Sequence, residues 1–267
     1  MIQEKYNEKE YAKQVEQYGF LTNYHNYELT LLVKYWKSIG IKPKQRKENL
    51  YEFCKKYIEN FNDVLYFKKI NSNLREGGKK DNPLIIIDKI SITDLEINYI
   101  NILDIKYDFK KILFSLLVQM KIKKEICRLK YNNELKFNYI RGNQNTYNDI
   151  FEVSKILDNT YKINNIINEL EILGYIDVRT RGRIKLLFID EIEESNVVMF
   201  DITTFDNVGY YFDRYNGDTK IIECNECKKL IRVTSNRRKY CHTCWKEKEL
   251  EKYIRYNKKR NINNNHR

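Results

Sequence analysis

The stretch CNECKKLIRVTSNRRKYCHTC, residues 224–244, contains two CxxC pairs separated by 13 residues. Each short turn between paired cysteines presents two thiolates to one ion, and four thiolates complete a tetrahedral Zn²⁺ shell. A filled shell leaves no position for water, so the ion is expected to fold the segment and not to catalyse a reaction. The alternative use of these thiols is two disulfide bonds. The predicted ligands of one structural zinc ion are Cys224, Cys227, Cys241 and Cys244.

Positive charge is concentrated around these cysteines. From Cys224 to Arg267 the chain has 14 Lys and Arg against 4 Asp and Glu, a net charge of +10, while the whole chain carries +12. The phosphates of a polyanion bind Lys and Arg and release their counterions, so this distribution favours nucleic acid as a partner. A solvated tail that keeps the protein soluble is the alternative interpretation.

The composition narrows the class of protein. No run of 18 apolar residues indicates a membrane span, and the N-terminus lacks the apolar region of a secretory signal, so we expect a cytoplasmic protein without a membrane partner. Reduced thiols then favour metal binding over disulfides. The sequence has no G-x-x-x-x-G-K-[ST], HExxH or G-x-S-x-G motif, so we expect a protein that is not an enzyme. Alanine occurs once, and abundant Lys, Asn and Ile indicate a low-GC genome.

Apolar residues at helical spacing predict a mostly α-helical protein with small β-hairpins. The N-terminal region, 1–102, is predicted to contain helices at 27–39, 47–60 and 64–75, a buried strand at 84–88, and a helix capped by Thr93. A long helix is predicted at 108–130. The acidic residues of 191–223 predict a solvated connector.

Residues 146–190, TYNDIFEVSKILDNTYKINNIINELEILGYIDVRTRGRIKLLFID, predict two helices followed by a β-hairpin. The first helix is predicted at 148–157, and Gly174 is predicted to end the second. Strands at 175–179 and 183–189 are joined by a turn in which Gly182 allows a positive φ. The apolar stripe of the second helix is Ile163, Ile166, Ile167, Leu170 and Leu173.

This order of elements, with LEILGYIDV followed by GRIKLLF, resembles a winged helix-turn-helix of DNA-binding proteins from low-GC bacterial mobile elements. The resemblance implies a winged helix at 103–190, whose second helix enters the major groove while the hairpin contacts the backbone or the minor groove. Asparagine pairs with adenine through two hydrogen bonds, and lysine suits guanine or phosphate. The implied DNA contacts are Thr160, Tyr161, Lys162, Asn164, Asn165 and Asn168 on the helix, and Arg179, Arg181 and Arg183 on the hairpin.

Two alternatives stay open for this resemblance. Helix, glycine and hairpin also occur in winged helices that bind proteins. A weaker echo upstream, FKKINSNLREGG before LIIIDKI, is compatible with a degenerate winged helix within 1–102.

The cysteine-rich segment resembles a second known type of module. Leu230–Thr234 and Arg238–Tyr240 are predicted to pair as a hairpin between the CxxC pairs, and a basic helix is predicted to begin at Trp245. This order resembles a treble clef or zinc ribbon, here at 224–267, and the resemblance implies contacts with nucleic acid. The implied contacts are Arg237, Arg238, Lys239, Lys252, Arg255, Lys258, Lys259 and Arg260.

Together these patterns predict a sequence-preferring protein that binds double-stranded DNA and belongs to a phage or plasmid. It would act as a transcription regulator or a replication initiator. The alternative is a mobile-element protein that binds a host protein or RNA, for example to inhibit a defence system.

Overall fold

The structure is a computed structural model that describes residues 6–131, 138–140, 146–156, 160–179, 183–233 and 238–264. It is mostly α-helical, with small antiparallel sheets, as the sequence predicts. The chain divides into two compact units. The first unit is Met1–Ile90 with Val118–Ile140, and the second is Ser91–Leu117 with Arg141–Arg267.

The first unit is built around one central helix. Its elements are α1 (Glu8–Tyr18), α2 (His25–Ser38), α3 (Pro43–Tyr57), α4 (Asp63–Gly78), the second half of α6 (Tyr107–Tyr131) and β2 (Tyr139–Ile140). Helix α2 packs against α1, α3 and α4 and buries apolar side chains almost all round, among them Leu29, Leu32 and Trp36. Glu28 and Lys34 of the same helix are buried as well, so α2 is enclosed on nearly every side, which accounts for its central position.

The predicted strand at 84–88 is wrong. This segment is extended, but among the described residues its ladder contacts amount to a single antiparallel bridge between Asn7 and Ile86. Ile87 donates its backbone N–H to the carbonyl of Tyr6 (2.7 Å), and Glu8 donates to the carbonyl of Ile85 (2.9 Å). Because α1 begins at Glu8, its backbone turns away and no longer ladder can form.

A degenerate winged helix was considered for 1–102, and the described part of this region, 6–102, contains no β-hairpin. Within 6–102, all of which is described, the structure contains one strand, β1 (Ile90–Thr93). The segment after α4 is fixed instead by a buried carboxylate. Glu8 pairs with Lys34, both side chains being about 5% exposed, and its Oε2 accepts the backbone N–H of Ile85 at 2.8 Å.

The second unit contains most of the strands. Its elements are β1, α5 (Asp94–Ile102), the first half of α6, α7 (Thr146–Ser154), α8 (Thr160–Ile172), β3 (Ile176–Arg179), β4 (Arg183–Leu186), β5 (Val198–Ile202), α9 (Val208–Tyr215), β6 (Ile221–Glu223), β7 (Leu230–Arg232) and α10 (His242–Asn264). The predicted cap at Thr93 is confirmed, since Thr93 and Glu96 form a reciprocal capping box at the start of α5. Because Val118–Ile140 belong to the first unit, the predicted winged-helix span 103–190 is shared between the two units.

Residues 191–223 form folded structure where a solvated connector was predicted. They contain β5, α9 and β6, and they bury Ile202, Phe205 and Phe212. The ring of Phe212 lies 5.2 Å from that of Phe114 on α6. The connector was predicted from the acidic residues, but the segment also has an apolar face. Burial of that face stabilises its place in the core of the second unit.

The carboxylate of Asp213 on α9 is a buried junction of this core. It accepts hydrogen bonds from Tyr107 Oη (2.9 Å) and Lys111 Nζ (2.7 Å) of α6, and from Arg232 Nη2 (3.1 Å) of β7. Its side chain is 3% exposed. Because a buried charge is tolerated when it is paired and hydrogen-bonded, these contacts hold three elements at one point.

Helix α9 also approaches α7 very closely. A Cβ atom added to Gly209 would lie 1.9 Å from the carbonyl oxygen of Ser154. Replacing Gly209 with alanine therefore forces backbone movement and is expected to lower the free energy of unfolding by about 1–3 kcal/mol. Urea denaturation followed by circular dichroism measures this loss.

The matched control is Gly78→Ala at the end of α4. There the nearest atom to the added Cβ is Arg46 Nη1 at 4.0 Å, so no clash arises. Alanine also has the better helix propensity, so this variant is expected to be as stable as the parent or more so. Equal stability of both variants would contradict the close approach of α7 and α9.

Candidate zinc centre and nucleic-acid interface

The four predicted zinc ligands converge in the second unit. Their Sγ atoms all lie within 4.8 Å of one another, and Cys227 Sγ is 3.7 Å from Cys241 Sγ. Sulfurs that lie about 2.3 Å from a tetrahedral Zn²⁺ are about 3.8 Å from each other. All six cysteines are free thiols, so the alternative of two disulfides is not formed. The all-thiol donor set and its spacing fit one structural zinc ion.

Backbone hydrogen bonds shape the first CxxC turn. Cys224 donates its N–H to the carbonyl of Lys229 (2.8 Å), and Lys228 donates to the carbonyl of Cys224 (3.0 Å). Lys228 adopts a left-handed φ of +60°, which reverses the chain directly after the second thiol of the pair. The turn thus directs both sulfurs of the pair to the same side.

Hydrogen bonds also favour a thiolate within the cluster. The backbone N–H of Cys241 donates to Cys224 Sγ at 3.2 Å. Burial by itself raises the pKa of Cys224, but the backbone donors of Cys241, Cys227 and Glu226 outweigh burial and lower this pKa to about 6. Burial raises the pKa of Cys227 and of Cys244. A metal ion binds thiolates, so at Cys224 the protein already stabilises the form that binds.

The hairpin predicted between the two CxxC pairs is wrong. Strand β7 pairs antiparallel with β6, which precedes the first pair, in the register Ile221↔Arg232 and Glu223↔Leu230. This pairing places Ile222 and Ile231 against the cysteine cluster, which is a small core of its own. The carbonyl of Lys239 accepts the N–H of Asn225 (3.0 Å), a contact to the first CxxC turn.

Polar contacts connect the cysteine-rich segment 224–267, called the zinc module below, to α9 and to residues just before and after that helix. Asn207 Nδ2 donates to the buried carbonyl of Leu230 (2.7 Å), and Lys229 forms an ion pair with Asp206. Arg232 contacts Asp218 (2.7 Å) in addition to Asp213. Lys229 and Arg232 are therefore paired inside the protein, and fewer positive charges are available to a ligand than the net charge of the module indicates.

The structure describes only some of the Lys and Arg side chains of the module that were predicted to contact nucleic acid. Arg238, Lys239 and Lys252 are exposed, and Lys252 contacts Glu249 at 2.7 Å. Arg237 lies outside the described residues. The side chains of Arg255, Lys258, Lys259 and Arg260 also lie outside the description, although their backbone belongs to α10. That helix begins at His242, three residues before the predicted start.

The predicted reading helix corresponds to α8. Ile163, Ile167 and Leu170 are buried, whereas Leu173 is 51% exposed because the helix ends at Ile172. Lys162, Asn164 and Asn168 are exposed as predicted, and Asn165 is half-buried. The side chains of Thr160 and Tyr161 lie outside the described residues.

The end of α8 is fixed to the hairpin that follows. Gly174 has a φ of +80° and donates to the carbonyl of Glu171 (2.9 Å), while Tyr175 donates to that of Leu170 (3.1 Å). This is a Schellman motif, as the predicted helix-ending glycine requires. Glu171 Oε1 also accepts the N–H of Val178 on β3 at 2.8 Å, so the helix and the hairpin are held in a defined relation.

Strands β3 and β4 have one apolar face and one charged face. Ile176, Ile184 and Leu186 are buried. The register pairs Arg179 with Arg183 and Asp177 with Lys185, and directly opposed residues project to the same face. The charged face therefore carries three cations and one carboxylate. Arg181 lies outside the described residues.

Two features of this face go beyond the sequence-based prediction. Arg179 contacts Asp177 at 2.7 Å, so it already has an internal partner. Lys185 was not among the predicted contacts, although strand alternation from Arg183 places it on the same side.

Comparison with known proteins shows similarity over one short segment of the chain. No family model and no solved structure matches the chain. A segment of 37 residues is 54% identical to part of the DNA-directed RNA polymerase YonO of Bacillus phage SPbeta. The segment is 14% of this chain and 4% of the polymerase. In the described part of the chain, no helix combines the length and apolar character needed to cross a membrane.

The purified protein is expected to hold one zinc ion per chain, which elemental analysis measures. Replacing Cys241 with serine removes one thiolate, so the variant is expected to lose the ion. Amides of β6, β7 and the start of α10 should then exchange hydrogen faster, while those of α8 and the hairpin keep their protection. Cys127→Ser, a half-buried cysteine outside the cluster, is the control and should keep full zinc. Full zinc in the Cys241 variant would contradict the assignment.

Proposed function

We propose that this protein binds double-stranded DNA with a preference for sequence and serves a phage or plasmid as a transcription regulator or replication initiator. The observation that carries the proposal is the cross-strand pair of Arg179, which is exposed, and Arg183, which is half-buried, on the charged face of the hairpin. Like charges placed directly opposite are unfavourable in the free protein. A phosphate bound beside them turns this repulsion into two charge-assisted hydrogen bonds.

The position of α8 supports a role in reading bases. Asn164 and Asn168 are exposed and lie four residues apart, so they are neighbours on one side of the helix. Each asparagine can bind adenine through two hydrogen bonds in the major groove. The resemblance to a winged helix supports the same arrangement, in which the second helix reads bases and the hairpin contacts the adjacent backbone.

The zinc module would supply affinity without reading sequence. Arg238, Lys239 and Lys252 are exposed near the cysteine cluster, and contacts between such side chains and phosphate carry no direct sequence information. Zinc enclosed by four thiolates has no open position for a substrate, so its role in this proposal is structural. We therefore propose a binding protein and not an enzyme.

The similarity to a phage polymerase supports a phage origin and a role with nucleic acid. The polymerase named in that similarity is, by its description, directed by DNA. Because the matched segment spans 4% of that protein, polymerase activity forms no part of the proposal.

A second candidate function is binding to a host protein or to RNA. The observation that favours a protein partner is the exposed apolar surface of α10, where Leu250 is 60% and Tyr253 is 63% exposed. Side chains of this kind are common at the centre of protein interfaces. Gel shifts with duplex DNA and with RNA of the same sequence, together with a pull-down from host extract, distinguish the candidates. Binding to RNA or to a host protein without a shift of the duplex would favour the second candidate.

Replacing Arg183 with alanine is expected to weaken duplex binding without lowering the free energy of unfolding, because the change also removes the repulsion between Arg183 and Arg179. One lost phosphate contact lowers the slope of log affinity against log salt by about 0.9. Titrations by fluorescence anisotropy at several salt concentrations measure this slope. Arg75→Ala, an exposed arginine in the last turn of α4, is the matched control and should leave the slope unchanged. An unchanged slope for Arg183→Ala would remove the hairpin from the interface.

Base reading and phosphate binding are expected to separate in a second set of variants. Asn164→Ala and Asn168→Ala should each cost roughly 1–3 kcal/mol on the preferred duplex and much less on random DNA. Deleting 252–267 removes six Lys and Arg and no carboxylate, so it should weaken binding to both duplexes similarly. The preferred duplex is obtained by selection from a random pool. Loss of preference in the deletion alone would assign base reading to the zinc module.

A further inference from the structure

A groove lies between α3 and α4 in the first unit, outside every site predicted from the sequence. Its volume is about 670 Å³, within the usual range of ligand pockets of about 300–1,000 Å³. Lysines and apolar or aromatic side chains form much of its lining. These are Lys44, Lys47, Tyr51, Lys55, Val64 and Phe67.

The α3 side of this groove has three lysines, one tyrosine and one carboxylate, that of Glu48. Lys44, Lys47, Tyr51 and Lys55 are spaced by three, four and four residues, so they follow one another along a single face of the helix. At 1.5 Å per residue this row is about 16 Å long. The row is therefore extended, and it suits a polymer better than a compact ligand.

The α4 side presents apolar surface to solvent. Val64 is 83% exposed and Phe67 is 53% exposed, although both line the groove. Tyr51 on the opposite wall is half-buried, and its ring meets that of Phe61 edge-on at 6.3 Å. Two rings therefore line the groove, one fixed by packing and one open to solvent. Such rings are platforms on which bases stack.

The charge of the groove complements a polyanion. Lys55 is paired with Asp63 at 3.7 Å, which leaves Lys44 and Lys47 beside the single carboxylate of Glu48. Lys42 and Arg46 do not line the groove but add positive charge at the start of α3, and the first turn of that helix has no acidic residue. The positive end of the helix dipole makes these cations unfavourable in the free protein and favourable beside phosphate.

We infer that the groove between α3 and α4 binds single-stranded nucleic acid. A single strand offers both phosphates and flat bases, which suits a groove lined by lysines and by the rings of Tyr51 and Phe67; an acidic peptide offers the charges without the stacking faces. The site belongs to the first unit, whereas the proposed duplex contacts belong to the second. Binding of single strands can therefore be present or absent independently of the proposed function.

The test uses the full-length protein with labelled oligo-dT and oligo-U of about ten nucleotides, within the usual size of single-strand sites. The double variant Lys44→Ala with Lys47→Ala should lower the slope of log affinity against log salt by about 1.4, which is 0.7 for each lost phosphate contact. Phe67→Ala should weaken binding roughly tenfold through lost stacking. Neither variant should change binding to the selected duplex.

The controls are Lys68→Ala and Leu65→Ala, two exposed residues of α4 that do not line the groove. Both should bind the oligonucleotides like the parent. Oligonucleotides with 5-iodouracil should crosslink to Tyr51 or Phe67, and mass spectrometry locates the crosslink. The inference is overturned if the groove variants bind single strands like the parent, if crosslinks lie only in the second unit, or if polyglutamate binds the groove more tightly than either oligonucleotide.

Discussion

The convergence of four thiols in the second unit is the constraint on which the C-terminal part of the structure depends. Among the described residues of 221–254, the apolar core is small and is made by the cysteines with residues such as Ile222 and Ile231. A core of this size stabilises little by itself, so the free energy of metal binding is expected to stabilise the fold. The strand β7 carries this constraint onward through Arg232, which contacts the buried carboxylate of Asp213. A change at the sulfurs is therefore expected to reach α9 and α6.

The same unit contains the surface that we propose contacts duplex DNA. The apolar face of the hairpin is buried, and burial of that face fixes which side chains point outward. Arg179 and Arg183 are opposed as a result of this register, and no ion pair links the two strands at that point because both residues are cationic. The repulsion is a cost to the free protein that a bound phosphate would offset. In this proposal, the DNA contact of the hairpin depends on the β3–β4 register, which is fixed by burial of the apolar face.

The sequence predicted those features that are encoded locally. The four cysteines, the cap at Thr93 and the glycine that ends α8 each depend on neighbours in the chain, and the structure places them as expected. Features that depend on distant partners were missed. The segment 84–88 has strand composition, but α1 begins too soon to pair with it, and β7 pairs with an upstream strand. The groove between α3 and α4 was not predicted, because its lining comes from two helices whose packing the sequence pattern does not define.

We propose that α8 and the hairpin of the second unit contact duplex DNA. Hydrogen exchange of the zinc-loaded protein, measured with and without a duplex selected from a random pool, tests it most directly. If so, exchange should slow on binding in α8 and in strands β3 and β4, with little change in α3 and α4. Protection confined to α3 and α4, or none in the second unit, would contradict it.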